Sequence, residues 1–343
     1  MNVQDALARL LDGHDLSRDE AREVMGGIMR GEATPAQIGG FLIALRVKGE
    51  TPDEIAGCAE AMREHVLAVR PKRDDLVDTA GTGGDGARTI NISTAAALVA
   101  AAAGAAVAKH GNRAVSSACG SADVLEALGF SLEHEPAHIE RSIDELGFGF
   151  LFATTHHPAM RHAAPVRKEL ATRTVFNVLG PLTNPAGARA QVVGVYSSQL
   201  VRTIAEVLAR LGARRAFVVH GAGGIDELSP VGPNLVCEVV DGEIHERELD
   251  PESELGVPHC ALDELRGGSP AENARAIRDV FAGRDGGRRS AILLNAAGAI
   301  AAGGHAEDLR EGLARAGEAV DSGAAAARLE ELIAFSRSAE VPA

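Results

Sequence analysis

Residues 76–128 read LVDTAGTGGDGARTINISTAAALVAAAAGAAVAKHGNRAVSSACGSADVLEAL, and the fold is decided there. A short apolar run ends at Asp78, glycines follow at 81, 83, 84 and 86, and an alanine-rich run begins after Ser93 and Thr94. The pattern predicts a strand, a bare loop and a helix from about residue 94. Such a loop binds anions, because unobstructed backbone N–H groups and the positive end of the helix converge on one place.

Gly81, Gly83 and Gly86 spell GxGxxG. A dinucleotide fold, however, opens its helix at the glycines and places an acid about twenty residues on. No Asp or Glu lies between Asp85 and Asp123, and no Lys-Ser or Lys-Thr pair follows the glycines as a P-loop requires. Asp85, Thr89, Asn91, Ser93 and Thr94 instead crowd short polar side chains together, suited to ribose hydroxyls, phosphate oxygens or a hard cation. After a second strand ending at Ala108, the residues Lys109, His110, Asn112, Ser116, Ser117 and Ser121 repeat the pattern. Two polar loops at strand ends are where an α/β fold builds its site.

Before this stretch the chain reads as helices. Val3, Leu7, Leu10 and Leu11 recur at helical spacing, and Ser17 with Glu20, Thr34 with Gln37 and Thr51 with Glu54 form capping boxes. Gly49 closes the helix between the last two. A polar crossing at 70–75 leads into alternating elements, with strands expected at 191–196, 216–220, 236–240 and 291–295. Helices are expected at 121–128, 200–211, 270–281, 306–320 and 323–335. The expected class is α/β, an all-helical unit followed by a larger unit with strands and helices in alternation.

The bulk properties narrow the partners. The 343 residues are 45% hydrophobic but only 3% aromatic, with no Trp and the single Tyr196, so Ala, Leu, Val and Ile must fill the core. A net charge of −14 and the absence of any long Lys/Arg block argue against nucleic acid. Cys58, Cys119, Cys237 and Cys260 form no CxxC pair and are expected to be reduced and structural. The N-terminal residues have no signal-peptide pattern and the alanine run is too short to span a bilayer, so a cytoplasmic protein is expected.

Taken together, GTGGD at 81–85, NIST at 91–94, KHGNR at 109–113 and GSADVLEALG at 120–129 resemble the anthranilate phosphoribosyltransferases. So do MRGEATPAQIGGFLIALRVKGET at 29–51, HPAM at 157–160, VRKEL at 166–170, RTVFNVLGPLTNPA at 173–186 and GIDELS at 224–229. The resemblance covers nearly the whole chain. It implies a nucleoside phosphorylase/phosphoribosyltransferase-like fold with a central, mostly parallel sheet. It further implies a small helical domain at 1–72 with a returning segment at about 162–187, and an α/β domain at 73–161 and 188–340. The site would lie in the cleft between them.

The implied reaction transfers the phosphoribosyl group of 5-phosphoribosyl 1-pyrophosphate to the amino group of anthranilate and releases pyrophosphate, with magnesium, two ions per subunit. By motif, Gly81, Gly84, Asp85, Thr89, Asn91, Ile92, Ser93, Thr94, Lys109, His110, Gly111, Asn112, Arg113, Ser116, Ser117 and Ser121 would hold the sugar donor. Gly81, His110, Asn112 and Arg167 would hold anthranilate, and Ser93, Asp226 and Glu227 the metal. A guanidinium fork suits a carboxylate, although Glu169 offers Arg167 a plain surface ion pair. Asp226 and Glu227 suit a hard cation, although an Asp-Glu pair is also an ordinary solvated turn. Aromatic amines attack without prior deprotonation, so no general base is assigned and His110, His156 and His157 are expected to line the pocket. Thr154 and Arg161 depart from the family pattern at the acceptor mouth, where proline and lysine are usual. The implied assembly is a homodimer through the helical unit. Two other functions are a pyrimidine nucleoside phosphorylase of the same fold and a non-enzymatic nucleic-acid-binding relative. The first would replace NIST and KHGNR by a Lys-Thr-Ser element and a longer glycine loop, and the second would carry a basic groove.

Overall fold

The computed structural model describes residues 1–114 and 118–338. Four helices open the chain: α1 Val3–Leu11, α2 Arg18–Met29, α3 Pro35–Lys48 and α4 Pro52–Glu64. All three capping boxes form, and Gly49 ends α3 at φ +94°. α2 lies against α4 so closely that a Cβ on Gly57 would overlap the carbonyl oxygen of Arg18. Glu54 is fully buried, but its carboxylate accepts the N–H groups of Leu16 and Thr51 and pairs with the Lys48 ammonium at 3.0 Å. A buried carboxylate without such partners would destabilise the bundle by several kcal/mol.

The chain then alternates: β1 Leu76–Gly81, α5 Ile92–Ala102, β2 Ala106–Gly111, α6 Ser121–Leu128, α7 Pro136–Leu146 and β3 Phe148–Phe152. Short helices α8 Ala153–His156, α9 Ala164–Leu170 and α10 Phe176–Leu182 follow, with a 3-10 turn at Pro158–His162. Next come β4 Ala190–Gly194, α11 Gln199–Arg210, β5 Arg215–His220, β6 Asn234–Val240 and β7 Glu243–Leu249. The chain ends with α12 Pro251–Leu255, α13 Pro270–Phe281, α14 Gly287–Ala302, α15 Leu309–Asp321 and α16 Ala324–Arg337, with a 3-10 turn at Leu262–Leu265 before α13.

The seven strands lie in the order β3-β2-β1-β4-β5-β6-β7, parallel from β3 to β5 and antiparallel for β6 and β7. The chain steps outward from β1 to β3 on one side and resumes at β4 on the other. The carboxyl ends of β1 and β4 are therefore a topological switch point, where open α/β sheets bind ligands. α5 and α14 pack together on one face of the sheet, and the alanines of α5 are almost wholly buried, which lets its backbone sit close to both neighbours. On the other face α11 shares a core with α2, α3 and α4, and that core also takes Val166 of α9 and Phe176 and Leu179 of α10. α9 packs on α3 and α10 on α4. Among the described residues no helix is long and apolar enough to cross a membrane.

One strand expectation is corrected: 291–295 lies inside α14. That helix is buried on nearly every side, so its sequence lacks the polar stripe that marks a surface helix and its apolar run imitates a strand. The sequence reading also missed β3, β7 and α7.

Candidate active site

The glycine loop springs from the end of β1 beside its register partner, Gly81 against Gly194 of β4. Together these glycines leave a notch that Asp226 fills. A Cβ on Gly81 would overlap Asp226 Oδ2 and stand 2.8 Å from its Cγ, and one on Gly194 would overlap the Asp226 backbone. Gly221 is bare for the same reason, facing the carbonyl of Glu227. The acidic turn is thus wedged into the switch point, more than 130 residues from the loop it meets.

Its contacts are specific. Gly83 N–H donates to Asp226 Oδ2 at 2.7 Å, and Ser93 N–H, in the first turn of α5, donates to Glu227 Oε1 at 3.3 Å. Asp85 approaches too, its Oδ2 3.4 Å from the Asp226 nitrogen. Both residues of the acidic pair retain partial exposure, yet their carboxyls are enclosed by protein. Burial, with Asp85 close by, pushes Asp226 up to about 7. Burial and the charge of Asp226 raise Glu227 well above the carboxylate range, with Lys109 opposing. A solvated acidic turn would show neither effect; this cluster is short of positive charge. Among the described residues no three His, Cys, Asp or Glu side chains form a metal cage, so a cation here would complete its shell with hydroxyl, phosphate or water oxygens. Among the described residues Thr94 Oγ1, buried in the first turn of α5, finds no hydrogen-bond partner, so a polar ligand at this end of the helix would satisfy it.

The structure places the remaining candidates unequally. Gly84 has φ +76°, and its carbonyl accepts a hydrogen bond from Arg173, whose guanidinium stacks on Tyr196 with its centre 4.0 Å from the ring centroid. Thr89 forms an isolated bridge with Arg266. Ile92 puts its side chain in the core and its N–H on Ile90, so it offers the cleft no free donor. Lys109 is only 1% exposed: its ammonium turns inward, 2.6 Å from the Thr79 carbonyl and 3.3 Å from Ser93 Oγ. It braces β1 against α5 beside Glu227 rather than standing in the open loop. Arg113 is exposed but paired with Glu126 and Asp123. Gly111 leaves room for Ser121, whose hydroxyl both accepts from Asn112 N–H and donates to the Asn112 carbonyl. Ser116 and Ser117 lie outside the described residues.

On the acceptor side, His110 Nδ1 donates to the Gly180 carbonyl at 3.1 Å, and its Nε2 meets His157 Nε2 at 3.1 Å. Burial holds His110 down at about 3 and His157 at about 4. His156 is tied to the interdomain crossing, with its Nδ1 on the Leu67 carbonyl at 2.7 Å. Arg167 sits over the Phe176 ring, 5.0 Å from its centroid, and burial lowers its pKa. No ion pair to Glu169 forms among the described residues, and no hydrogen bond joins Arg167 to Asn112 or His110.

Several contributors escaped the sequence reading. Asp78 is buried and accepts from His110 N–H and Asn184 Nδ2, which ties β1, β2 and the loop after α10 together. Burial raises it to about 6. Its only signal was an acid inside an apolar strand. Asn295 of α14 brackets Leu228, accepting its N–H at 2.9 Å and donating to its carbonyl at 2.7 Å, and so fixes the peptide after Glu227.

Residues 73–326 match the glycosyl transferase family, a/b domain, and residues 4–66 the glycosyl transferase family, helical bundle domain. The anthranilate phosphoribosyltransferase of Anaeromyxobacter sp. (strain K) is 55% identical over 97% of this chain and 98% of its own length. That of Pelotomaculum thermopropionicum is 51% identical over 97% of this chain and 96% of its own. Among solved structures, the Thermus thermophilus enzyme superposes with a TM-score of 0.92 at 51% identity, covering 97% of this chain and all of that one. The Saccharomyces cerevisiae enzyme, determined with PRPP and Mg, gives 0.89 at 29% identity over 98% of both chains.

Proposed function

The chain belongs to the anthranilate phosphoribosyltransferases, and from that premise we infer which of its residues carry the reaction. The enzyme transfers the phosphoribosyl group of 5-phosphoribosyl 1-pyrophosphate to anthranilate, with magnesium, in tryptophan biosynthesis. The relatives favour this transferase reading over a nucleoside phosphorylase or a nucleic-acid-binding protein.

The observation that carries the site assignment is the docking of the acidic turn on Gly83 and Ser93 at the switch point. The loop at 81–86, the first turn of α5 and the second polar loop hold the sugar donor. Asp226, Glu227 and Ser93 would hold magnesium, two ions per subunit, which would supply charge neutralisation for the departing pyrophosphate. The C1–pyrophosphate bond breaks, the anthranilate nitrogen bonds to C1, and the amine then loses a proton to solvent. Neutral, buried His110 and His157 line the acceptor pocket without acting as an obligatory base. Arg167, over the Phe176 ring and unpaired with any acid among the described residues, is available for the anthranilate carboxylate.

The domains divide at 1–72 with 162–187, and at 73–161 with 188–340. Shared packing of α9 and α10 with α3 and α4 supports the return. The assembly is a homodimer through the helical unit, on the strength of the family resemblance. The enzyme works in the cytoplasm. The test is loss of anthranilate fluorescence on adding donor and magnesium; no loss, with the native chain folded, refutes the function.

A further inference from the structure

Asn91 stands at the N-cap of α5 but makes no side-chain cap. Its amide is used elsewhere. Asn273, in the first turn of α13 and 2% exposed, donates from Nδ2 to Asn91 Oδ1 at 2.9 Å. Asn91 Nδ2 in turn donates to the carbonyl of Cys119, at the end of the second polar loop, at 3.0 Å. The direction of this chain is fixed at its origin, because Asn273 Oδ1 accepts the Gly268 N–H at 2.7 Å and only its NH2 group can face Asn91. Asn91 must then present its oxygen to Asn273 and its NH2 to the Cys119 carbonyl, while the Cys119 thiol lies within hydrogen-bonding reach of both amides.

The backbone around Asn273 grips the same loop. Ile90 N–H donates to the Leu265 carbonyl at 2.9 Å, Gly267 N–H to the Arg88 carbonyl at 2.8 Å, and Thr89 bridges Arg266. A Cβ on Gly267 would stand 2.7 Å from both Asn273 Oδ1 and the Thr89 carbonyl, so the approach needs glycine. Arg88 is held at φ +53°, a conformation that persists in a non-glycine residue only where its surroundings enforce it.

We propose that Asn273 is a positioning residue for the sugar donor: through Asn91 it fixes the spacing between the first turn of α5 and the second polar loop. The proposal rests on the assignment of those loops to the donor. Asn273 itself need not touch substrate. Its loss frees the Asn91 amide and lets the two loops separate, which weakens the donor, held by both loops, more than the acceptor.

The test compares Asn273→Ala, Asn273→Asp, Asn91→Ala and the double variant Asn91→Ala/Asn273→Ala by steady-state kinetics and thermal melting. Asn273→Asp keeps the shape and the bond from Gly268, but sets a carboxylate oxygen against Asn91 Oδ1, and it serves if the alanine variant does not fold. Both single changes at 273 should raise KM for the donor about tenfold, the scale of one or two neutral hydrogen bonds, with KM for anthranilate within about twofold. In the Asn91→Ala background, Asn273→Ala should raise the donor KM by clearly less than it does alone, since only its contact with Cys119 is left to lose. The proposal is overturned if both KM values rise alike, if only the melting temperature falls, or if the Asn273 effect is undiminished without Asn91. Failure of the native enzyme to consume anthranilate would instead refute the functional reading before any variant is compared.

Discussion

Replacing Gly81 by alanine adds one methyl group at the end of β1, where the ideal Cβ stands 2.8 Å from Asp226 Cγ and overlaps Asp226 Oδ2. Carbon–carbon contacts are most favourable at about 3.5–4.0 Å, so the carboxyl must retreat by about 1 Å. It cannot do so freely. Its own backbone is lodged against Gly194, and its Oδ2 takes the Gly83 N–H at 2.7 Å. Overpacking of this kind costs about 1–3 kcal/mol, a fall of a few degrees in melting temperature for a chain this long. The larger effect is on activity. A 1 Å displacement of a metal-binding carboxylate should lower kcat/KM for the donor by about a hundredfold. Part of that loss should return at high magnesium. The assay is anthranilate fluorescence across a magnesium titration, with Gly187→Ala as the control: Gly187 has φ +67° and open space beside it, so it should lose stability while keeping its kinetics. Gly81→Ala within about threefold of the native enzyme at every magnesium concentration would refute the notch argument and the metal assignment of Asp226.

The double change Asp226→Asn with Glu227→Gln should abolish turnover at ordinary magnesium while leaving the melting temperature equal or higher, because it removes two enclosed acids whose ionised forms are disfavoured there; near-native activity in the folded variant would rule the pair out. Arg167→Ala should weaken anthranilate about tenfold to a hundredfold and leave the donor KM nearly unchanged, with lysine recovering only part of the loss. Equal changes in both KM values would make Arg167 structural. His110 and His157 titrate at about 3 and about 4 when folded against an ordinary 6.5, so the unfolded chain binds protons first and stability falls as pH drops below about 6.5. Asp78, raised to about 6, acts in the opposite direction between about 4 and about 6. His110→Gln should therefore lose less melting temperature between about pH 7.5 and about pH 5 than the native enzyme; equal losses would refute it.

The helical unit was legible because capping is local: Ser17 with Glu20, Thr34 with Gln37 and Thr51 with Glu54 each decide a helix start within four residues. The glycine loop was legible for a similar reason, since bare backbone before a helix admits few uses. The motifs also named Asp226 and Glu227, but not their surroundings. That the pair is wedged between Gly81 and Gly194 depends on β4 returning beside β1, and strand order is a property of the whole sheet. Lys109 and His110 are neighbours that point to opposite faces of β2, as strand residues must, and only the sheet's two packing partners decide which faces the acceptor pocket and which the buried brace. The strand expected at 291–295 became a helix because a segment buried on every side carries no periodic signal. Asn273 and Asn295 look in sequence like ordinary polar residues on helices. They become braces of the site only when folding sets them against Asn91 and Leu228, because a buried amide must find partners and long-range packing alone chooses which.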